Sequence, residues 1–251
     1  MEIKGKAAVV TGGGSGIGRA MCMALAREGA GVVVADRDDQ GASDTVGLIV
    51  AAGGDALARH CDVTSTADIA AAIACSHERF GRFDILANNA GVGGSGAGLF
   101  DDDPGDWRQM VEINLSAVID GTRIGVREMK RSGGGVIVNT ASMGGLLPMP
   151  DSPVYAATKA GVINFTRSLA HLALEDRIRV NAICPTFTDT PLVRQGGDER
   201  VEEMKLLVGG ILQPEDIAAG LIELLEDDSR AGAIMRVTVR GGRDYAREIR
   251  P

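Results

Sequence analysis

Residues 6–18 read Lys6-Ala7-Ala8-Val9-Val10-Thr11-Gly12-Gly13-Gly14-Ser15-Gly16-Ile17-Gly18. The apolar first half predicts a short buried strand, and residues 19–27 predict a helix that ends at Gly29. Glycines let backbone N–H groups approach a pyrophosphate closely, and the N-terminus of a helix adds a partial positive charge. The spacing is G-x-x-x-G-x-G rather than G-x-G-x-x-G. The stretch predicts a dinucleotide-binding loop with contacts at Gly12, Gly14, Ser15, Gly16, Ile17 and Gly18. The alternative is a glycine-rich turn that binds no ligand.

An acidic residue follows the next apolar strand, residues 32–35. Asp36 lies eighteen residues beyond Gly18, where a carboxylate can accept hydrogen bonds from an adenosine ribose. A 2′-phosphate would be repelled there, so the sequence predicts NAD rather than NADP, although Arg37 would partly offset the repulsion. The alternative is that Asp36 caps a helix or lies in a solvated turn.

A second group of residues indicates proton transfer. Tyr155 and Lys159 lie four residues apart in a predicted helix and therefore share a face. Two unit charges about 4 Å apart interact by roughly 4 kcal/mol at an effective dielectric of ~20, which would lower a tyrosine pKa of about 10 towards neutrality. Ser142 follows an apolar strand, at the edge where open α/β sheets bind ligands. The alternatives are an amphipathic surface pair and a capping serine.

Taken together, the chain resembles the short-chain dehydrogenase/reductase family over residues 3–242. Three motifs carry the resemblance: Thr11-Gly12-x-x-x-Gly16-x-Gly18, similar to the family's cofactor loop; Asn88-Asn89-Ala90-Gly91, similar to the motif after its fourth strand; and Asp62-Val63, similar to its adenine-binding pair. The resemblance implies that Asp62, Val63, Asn89, Ala90 and Gly91 contact the cofactor.

The same resemblance implies a catalytic set of Asn114, Ser142, Tyr155 and Lys159. Tyr155 would exchange a proton with the substrate oxygen while a hydride passes between the same carbon and the nicotinamide. Ser142 would hydrogen-bond that oxygen. Lys159 would bind the ribose and lower the pKa of Tyr155, and both residues would also contact the cofactor. Asn114 would support a water relay. Asparagine has a poor helix propensity, which suggests that the helix is distorted at this residue. The alternative is that Asn114 makes a buried hydrogen bond without a function.

The chain departs from the family after the sixth predicted strand. The family commonly has Pro-Gly there, whereas Pro185 is followed here by Thr186. Thr186 is β-branched, so its backbone must avoid positive φ. The resemblance still implies cofactor contacts at Pro185, at the backbone of Thr188 and at Thr190.

Strand and helix patterns alternate along the whole chain. This rhythm predicts an α/β fold, a Rossmann-type doubly wound parallel sheet of seven strands with helices on both faces. The predicted strands are 7–10, 32–35, 57–61, 85–88, 136–140, 179–183 and 234–238. The further predicted helices are 41–52, 66–80, 106–131, 155–174 and 214–226.

The length and composition of the chain limit the classes of function that it can have. The chain has 251 residues, of which 45% are hydrophobic, and suits a single dinucleotide-binding and catalytic domain over 1–251. A net charge of -8 and 3% aromatic residues offer nucleic acid neither attraction nor a stacking surface. The sequence shows no signal peptide and no apolar run of about eighteen residues, so we expect a soluble, cytoplasmic protein with no membrane partner.

We expect no metal and no disulfide. The four cysteines lack C-x-x-C spacing, and the three histidines do not cluster with them. The acidic run 101–103 precedes Pro104 and predicts the start of a helix, with a metal site as the alternative.

Residues 192–212 correspond to the segment that covers the substrate in the family. Gly196-Gly197 and Gly209-Gly210 flank a predicted short amphipathic helix and could act as hinges, the alternative being an ordinary surface loop. Apolar side chains suggest a hydrophobic small-molecule substrate, and the residues predicted to contact it are Ser142, Met143, Leu147, Tyr155, Phe187 and Leu192.

Residues 143–155 and 232–235 are weakly similar to the 15-hydroxyprostaglandin-dehydrogenase-like branch of the family. The resemblance implies a homodimer or homotetramer formed through the helices 106–131 and 155–174. The predicted function is an NAD-dependent oxidoreductase that acts on the CH–OH group of a secondary alcohol or on the corresponding ketone. The alternatives are a cofactor-binding sensor of the NADH/NAD ratio and an enoyl or imine reductase variant.

Overall fold

All the strands that the apolar stretches predict lie in one sheet. The computed structural model describes residues 1–93, 107–195 and 197–247. In these ranges the strands are β1 (Ala7–Thr11), β2 (Gly31–Asp36), β3 (Asp55–His60), β4 (Ile85–Asn88), β5 (Gly135–Thr140), β6 (Ile178–Pro185), β7 (Ile234–Thr238) and β8 (Gly242–Tyr245).

Helices connect the strands. Those that the structure describes are α1 (Gly16–Arg27), α2 (Asp39–Ala51), α3 (Thr66–Phe80), α4 (Trp107–Val111), α5 (Ala117–Ser132), α6 (Pro153–Ser168), α7 (Leu172–Glu175), α8 (Pro191–Arg194), α9 (Gly197–Val208) and α10 (Pro214–Glu226). A π turn (Glu112–Ser116) joins α4 to α5, and a 3₁₀ turn (Met143–Gly145) follows β5. None of these helices combines the length and the apolar character needed to cross a bilayer.

The strand order is β3-β2-β1-β4-β5-β6-β7-β8. Strands β1 to β7 run parallel, and helices bury the inner strands on both faces, whereas the edge strand β3 is largely exposed. One apolar cluster joins the sheet to α1, α2 and α10, and two further clusters join its other face to α3, α5 and α6. The order reverses between β1 and β4, where open α/β sheets bind ligands beyond the carboxyl ends of their strands. The predicted doubly wound fold is confirmed.

The strand count differs from the prediction, because an eighth strand closes the sheet. Strand β8 runs antiparallel to β7 and has the polar sequence Gly-Arg-Asp-Tyr, which carries no apolar alternation. Tertiary contacts stabilise it instead. Arg236 forms a bidentate ion pair with Asp244, and Tyr245 donates a hydrogen bond to Glu223 at 3.1 Å.

Two predicted long helices are interrupted. The helix predicted over 106–131 contains the π turn, and residue 106 and the acidic run 101–103 lie outside the described residues. The helix predicted over 155–174 ends at Ser168, and α7 follows as a separate short helix. Ala170, in the break, packs against Gly232, where a Cβ would lie 2.8 Å from the Ala170 Cβ. Helix periodicity alone does not record such contacts with distant residues.

Candidate active site

The glycine loop between β1 and α1 has no room for side chains at two of its glycines. A Cβ on Gly12 would lie 2.9 Å from the Ala90 Cα, and Gly12 has a φ of 66°. A Cβ on Gly18 would overlap the carbonyl oxygen of Gly12. The loop therefore folds tightly upon itself and against the segment that follows β4.

The first turn of α1 offers backbone donors. The side chain of Ser15, the N-cap residue, makes no capping hydrogen bond among the described residues, and no acidic residue lies in the turn. Unpaired N–H groups at a helix N-terminus form a ready anion site. The predicted contacts at Gly16, Ile17 and Gly18 thus lie where a pyrophosphate would be held.

Asp36 ends β2 and already holds the loop. One carboxylate oxygen accepts a hydrogen bond from the Gly14 N–H at 2.8 Å, and the other accepts one from the Asp38 N–H at 3.0 Å. Each oxygen has a second lone pair, so Asp36 could still accept ribose hydroxyls. The structure therefore combines the turn role, which the sequence left as the alternative, with an orientation compatible with the ribose role.

The predicted adenine side is polar and open. Asp62 is exposed, and Val63 is half-buried. Hydrogen bonds from the backbone and hydroxyl of Thr64 lower the pKa of Asp62, with a smaller contribution from the charge of Arg37. Arg37 and Asp62 therefore lie on the same side of the sheet edge, next to Asp36.

The residues after β4 are clamped to the loop by Thr11. Its hydroxyl accepts hydrogen bonds from the N–H groups of Asn89 at 3.0 Å and Ala90 at 3.1 Å. The Asn89 amide donates to the Thr11 carbonyl, and its oxygen accepts from the Thr140 hydroxyl at 3.2 Å. These bonds connect β1, β4 and β5 at one sheet edge.

Ser142, Tyr155 and Lys159 meet at this edge. The Ser142 hydroxyl lies near enough to the Tyr155 phenol to lower its pKa, and it caps the 3₁₀ turn by accepting from the Gly144 N–H at 3.0 Å. The Lys159 ammonium lies 5.7 Å from the centroid of the Tyr155 ring and donates to the Thr140 carbonyl at 2.9 Å. The structure brings the three predicted residues together, although β5 and α6 present them separately.

The predicted lowering of the Tyr155 pKa by Lys159 is wrong for this structure. Burial raises the pKa of Tyr155, and the hydrogen bond with Ser142 only partly offsets that effect. Burial also lowers the pKa of Lys159 to about 8. The i, i+4 spacing gave the correct face, but it could not reveal that the ammonium points to a carbonyl group rather than to the phenol.

Asn114 lies in the π turn and is fully buried. Its amide pairs with one peptide group in both directions: Oδ1 accepts from the Val92 N–H at 2.8 Å, and Nδ2 donates to the Val92 carbonyl at 2.9 Å. A Cβ on Gly91 would lie 3.2 Å from Oδ1 of Asn114 and 3.6 Å from the Lys159 ammonium. The predicted distortion of the helix is confirmed, and Asn114 and Lys159 approach the same glycine.

Thr186 fits the end of β6 without strain. Positive φ occurs among the described non-glycine residues at Arg177, not at Thr186. The Thr186 N–H donates to the Val237 carbonyl at 2.9 Å, and its hydroxyl reaches the same oxygen at 3.4 Å. Pro185 ends β6 directly before it. The expectation that Thr186 avoids positive φ is confirmed.

Thr188 and Thr190 anchor the segment that follows. Thr188 is buried and forms an isolated bridge with Leu212, so the last residue of the predicted covering segment pairs with the chain just before its start. Thr190 caps α8, and its methyl carbon would lie 3.1 Å from a Cβ on Gly16. Thr190 therefore packs against the glycine loop, next to the predicted cofactor site.

The predicted substrate residues form an apolar rim. Met143 and Phe187 are half-buried, whereas Leu147 is 58% and Leu192 is 40% exposed. The Leu192 side chain lies 3.4 Å from the position of a Cβ on Gly93. Leu192 thus lies over the segment that follows β4, and Leu147 faces solvent beyond the 3₁₀ turn.

The predicted short helix in the covering segment is confirmed as α9. Leu206 and Leu207 on this helix are 83% and 77% exposed, which is unusual for large apolar side chains. Gly209 and Gly210 end the helix with φ values of 84° and 145°. Gly196, the other predicted hinge residue, lies outside the described residues.

A sequence model of the family described as short chain dehydrogenase matches residues 6–200, which include the glycine loop and all four residues of the implied catalytic set. The chain belongs to the short-chain dehydrogenase family. The resemblance stated from the sequence is therefore confirmed.

Relatives and solved structures agree with this family. The 15-hydroxyprostaglandin dehydrogenase (NAD(+)) of Mus musculus is 36% identical and covers 96% of this chain and 93% of its own length. The cyclohexanol dehydrogenase of Acinetobacter sp. (strain SE19) is 35% identical, with 91% and 90% covered. A solved 7 alpha-hydroxysteroid dehydrogenase, complexed with NADH and 7-oxo glycochenodeoxycholic acid, has a TM-score of 0.88 and 32% identity over 98% of this chain and 97% of its own.

Sequence reasoning missed three residues that build the site of this short-chain dehydrogenase. Thr11 clamps the segment after β4, Thr140 accepts the hydrogen bond of Lys159, and Gly145 lies against the backbone of α6. Thr11 and Thr140 each stand at the end of an apolar strand, which is the available signal for a polar role. Nothing local distinguishes Gly145 from the neighbouring Gly144.

Proposed function

We propose that this short-chain dehydrogenase oxidises a hydrophobic secondary alcohol to a ketone with NAD, or catalyses the reverse reduction. The observation that carries the proposal is the buried Lys159 ammonium, which lies 5.7 Å from the centroid of the Tyr155 ring and is held by the Thr140 carbonyl, with the Ser142 hydroxyl near enough to lower the pKa of the phenol. These groups stand at the carboxyl edge of the sheet, next to the glycine loop. A proton acceptor, an oxygen-orienting donor and a cation in one cleft suit hydroxyl chemistry.

The residues of the loop fit NAD. The crowded Gly12 and Gly18 bring the backbone close to a pyrophosphate, and the uncapped first turn of α1 provides the donors. Asp36 favours a free ribose 2′-hydroxyl over a phosphate. The NAD-dependent relatives confirm the predicted cofactor and the dehydrogenase class. Bound NAD supplies the acceptor for the hydride that leaves the carbinol carbon.

The proton follows a path through this chain's own residues. In the oxidation direction, Tyr155 in its ionised form takes the proton of the substrate hydroxyl, and Ser142 donates a hydrogen bond to the same oxygen. In the reduction direction, the neutral phenol returns the proton. Because burial raises the pKa of Tyr155, the neutral form is favoured before the cofactor binds.

Lys159 and Asn114 support this transfer. Lys159 donates to the Thr140 carbonyl and can turn its remaining N–H bonds towards a ribose. The oxygen and the nitrogen of the Asn114 side-chain amide are both paired with Val92. A water would therefore use the second lone pair of the Asn114 oxygen or a peptide carbonyl that the π turn leaves free. We propose that this water connects Lys159 to solvent.

The apolar rim supports a hydrophobic substrate. Leu192 and Leu147 expose hydrocarbon near the 3₁₀ turn and the segment that follows β4. The names of the relatives state cyclohexanol, hydroxyprostaglandin and hydroxysteroid substrates, and we propose a secondary alcohol on a largely hydrocarbon skeleton here. Residues 192–212 would cover such a substrate, within one catalytic domain over 1–251.

The test follows nicotinamide absorbance. The purified protein is mixed with NAD or NADP and with cyclohexanol, 2-octanol and a 7 alpha-hydroxysteroid in turn. We expect turnover with NAD, and a loss of about 10³-fold in kcat in Tyr155→Phe, the order expected when a general base is removed. Tyr245→Phe is the matched control, because the chain has 2 tyrosines and Tyr245 lies on the edge strand β8.

Equal activity of Tyr155→Phe and the wild-type enzyme would contradict the proposed role of the phenol. A preference for NADP would contradict the role of Asp36. Binding of NADH without turnover of any alcohol or matching ketone would instead favour a sensor of the cofactor ratio.

Assembly and location are further parts of the proposal. We propose a homodimer or homotetramer that uses α5 and α6, as the family resemblance implies. Light scattering coupled to size-exclusion chromatography measures the mass, and a monomer at micromolar concentration would contradict this prediction. The cytoplasmic location stays a prediction from the sequence.

A further inference from the structure

Beneath the site, four buried polar side chains form a hydrogen-bonded row that the proposed chemistry does not use. The row consists of Thr122, Asn88, Asn139 and Thr166, whose exposures are 1%, 3%, 0% and 0%. The Asn88 amide donates to the Thr122 hydroxyl at 3.1 Å and to the Asn139 oxygen at 2.9 Å. The Asn139 amide in turn donates to the Thr166 hydroxyl at 3.0 Å. The row therefore runs from α5 through β4 and β5 to α6.

The row lies on the face of the sheet away from the glycine loop. Asn88 and Asn139 are register partners in β4 and β5, so their side chains share a face. Side chains alternate along a strand, and the next residues, Asn89 and Thr140, bond each other on the opposite face, where Asn89 also reaches Thr11. The row thus faces α5 and α6, and of its four members Asn88 also lines a small cavity with Val63 and Ala90 of the predicted cofactor site.

One bond in the row connects the two elements that present the proton-transfer residues. Asn139 precedes Ser142 by three residues on the β5 side, and Thr166 lies on α6, seven residues beyond Lys159. Seven residues of helix span roughly 10 Å. The second connection between α6 and β5 is the bond from Lys159 to the Thr140 carbonyl. Two connections so far apart oppose both sliding and rotation of the helix against the strand.

A slipped helix would leave these buried groups unpaired. The Asn139 amide has no access to solvent, so it would lose its partner in any other register of α6. An apolar contact in the same place would tolerate small displacements, because dispersion forces have little directionality, whereas a hydrogen bond weakens steeply when it is misaligned. The polar pair therefore specifies one position of α6.

We infer that Asn139 and Thr166 are positioning residues, whose hydrogen bond holds α6 in the register on β5 that brings the Tyr155 phenol to the Ser142 hydroxyl. The inference rests on the proposed function. Neither residue touches substrate or cofactor. Their effect reaches the reaction through the distance between two groups on different elements.

Thr166→Val tests the inference, because it replaces the hydroxyl with a methyl group at nearly constant volume. A reacting group displaced by about 1 Å can cost roughly 100-fold in rate. We therefore expect kcat with NAD and cyclohexanol to fall by about 10- to 100-fold, while the Kd of NADH, to which Lys159 on α6 would contribute, rises by a smaller factor. Thr166→Ser keeps the hydroxyl and should restore kcat to within about threefold of the wild-type value.

Thr122→Val is the matched control at the other end of the row. It makes the same chemical change at a buried threonine, but α5 presents no residue of the proposed proton transfer. We expect both valine variants to lose similar thermal stability and only Thr166→Val to lose kcat. An equal fall of kcat in both variants, or an unchanged kcat in Thr166→Val, would overturn the inference.

The pH profile adds a measurement that a loss of stability would not change. Because the Ser142 hydrogen bond lowers the pKa of Tyr155, the apparent pKa for alcohol oxidation should rise in Thr166→Val and stay constant in Thr122→Val. A constant apparent pKa in both variants would contradict the inference.

Crystal structures of the wild type and Thr166→Val decide the question without turnover. We expect the separation of the Tyr155 and Ser142 oxygens to increase, and an unchanged separation would overturn the inference. Thr166→Ala serves in the same way if the valine variant does not fold. If the wild type turns over none of the three alcohols and none of the matching ketones, the proposed function fails, and the crystal structures still decide the positioning role.

Discussion

Replacing Gly145 with alanine should slow the chemical step more than it weakens cofactor binding. Gly145 closes the 3₁₀ turn that Ser142 begins, and it lies against the backbone of α6. A Cβ at this position would lie 2.6 Å from the carbonyl carbon of Lys159 and 2.7 Å from its oxygen. Ordinary contact for a Cβ begins at 3.4 Å, so the turn and the helix must separate by about 0.8 Å.

No side-chain rotation can relieve this clash, because the atoms that crowd the site belong to the backbone. The distance between Ser142 on the turn and Tyr155 on the helix therefore increases as the turn and the helix move apart. A misplacement near 1 Å costs up to roughly 100-fold in rate. We expect kcat of Gly145→Ala to fall by about 30- to 100-fold, equivalent to about 2 to 3 kcal/mol of activation free energy.

Steady-state kinetics with NAD and cyclohexanol measure kcat and KM, and NADH fluorescence measures cofactor affinity. The Kd of NADH should rise by a smaller factor than kcat falls, since the glycine loop lies on other elements and only the ribose contact of Lys159 is displaced. Gly47→Ala on α2 is the matched control, because a Cβ there meets no atom within 4 Å. An unchanged kcat in Gly145→Ala, with unchanged KM, would refute the link between this turn and proton transfer.

Three further predictions concern stability, pH and the loop. Gly47→Ala should raise the free energy of unfolding by about 0.5 to 1 kcal/mol, seen as a melting temperature higher by about 2 °C, because alanine is the better residue in an exposed helix. Because burial raises the pKa of Tyr155 above its ordinary value of 10.0, the ionised base becomes more populated throughout the rise in pH, and kcat/KM for alcohol oxidation should increase without a plateau up to about pH 10. Asp36→Ala removes the acceptor of the Gly14 N–H and should weaken NADH binding by at least about tenfold in a fluorescence titration.

Each of these predictions has an outcome that contradicts it. A lower melting temperature of Gly47→Ala would mean that the space around this glycine is occupied. A rate of oxidation that falls with increasing pH would argue against Tyr155 as the base. Unchanged NADH affinity in Asp36→Ala would mean that Asp36 stabilises the turn and does not bind the ribose.

The doubly wound fold and the family were readable from the sequence because their signals are local. A parallel strand buried on both faces needs a short apolar run, and such runs recur at β1, β2, β4 and β5. The glycine loop was equally readable, because a tight turn before a helix restricts the residues it contains. Strand β8 was not readable, since Gly242–Tyr245 is polar and its pairing depends on partners such as Glu223 on α10.

Some features of the candidate site were likewise readable from the sequence, and others were not. The i, i+4 spacing of Tyr155 and Lys159 was sufficient to place both side chains on one helix face, and the position of Ser142 after an apolar strand was sufficient to place it at the ligand-binding edge. The roles of these residues stay predictions until the variants are measured. The direction of the Tyr155 pKa was wrong from the sequence, because burial depends on every element that packs around the phenol.

The sequence by itself determined the order of strands and helices, the dinucleotide loop and the identity of the residues that meet at the sheet edge. Only the tertiary structure decided how those residues are held. Asn139 and Thr166 are 27 positions apart, and Gly145 meets the backbone of Lys159 across two elements. Such contacts leave no periodic pattern in the chain, because a hydrogen bond or a close approach between distant residues depends on where the packed helices and strands finally lie.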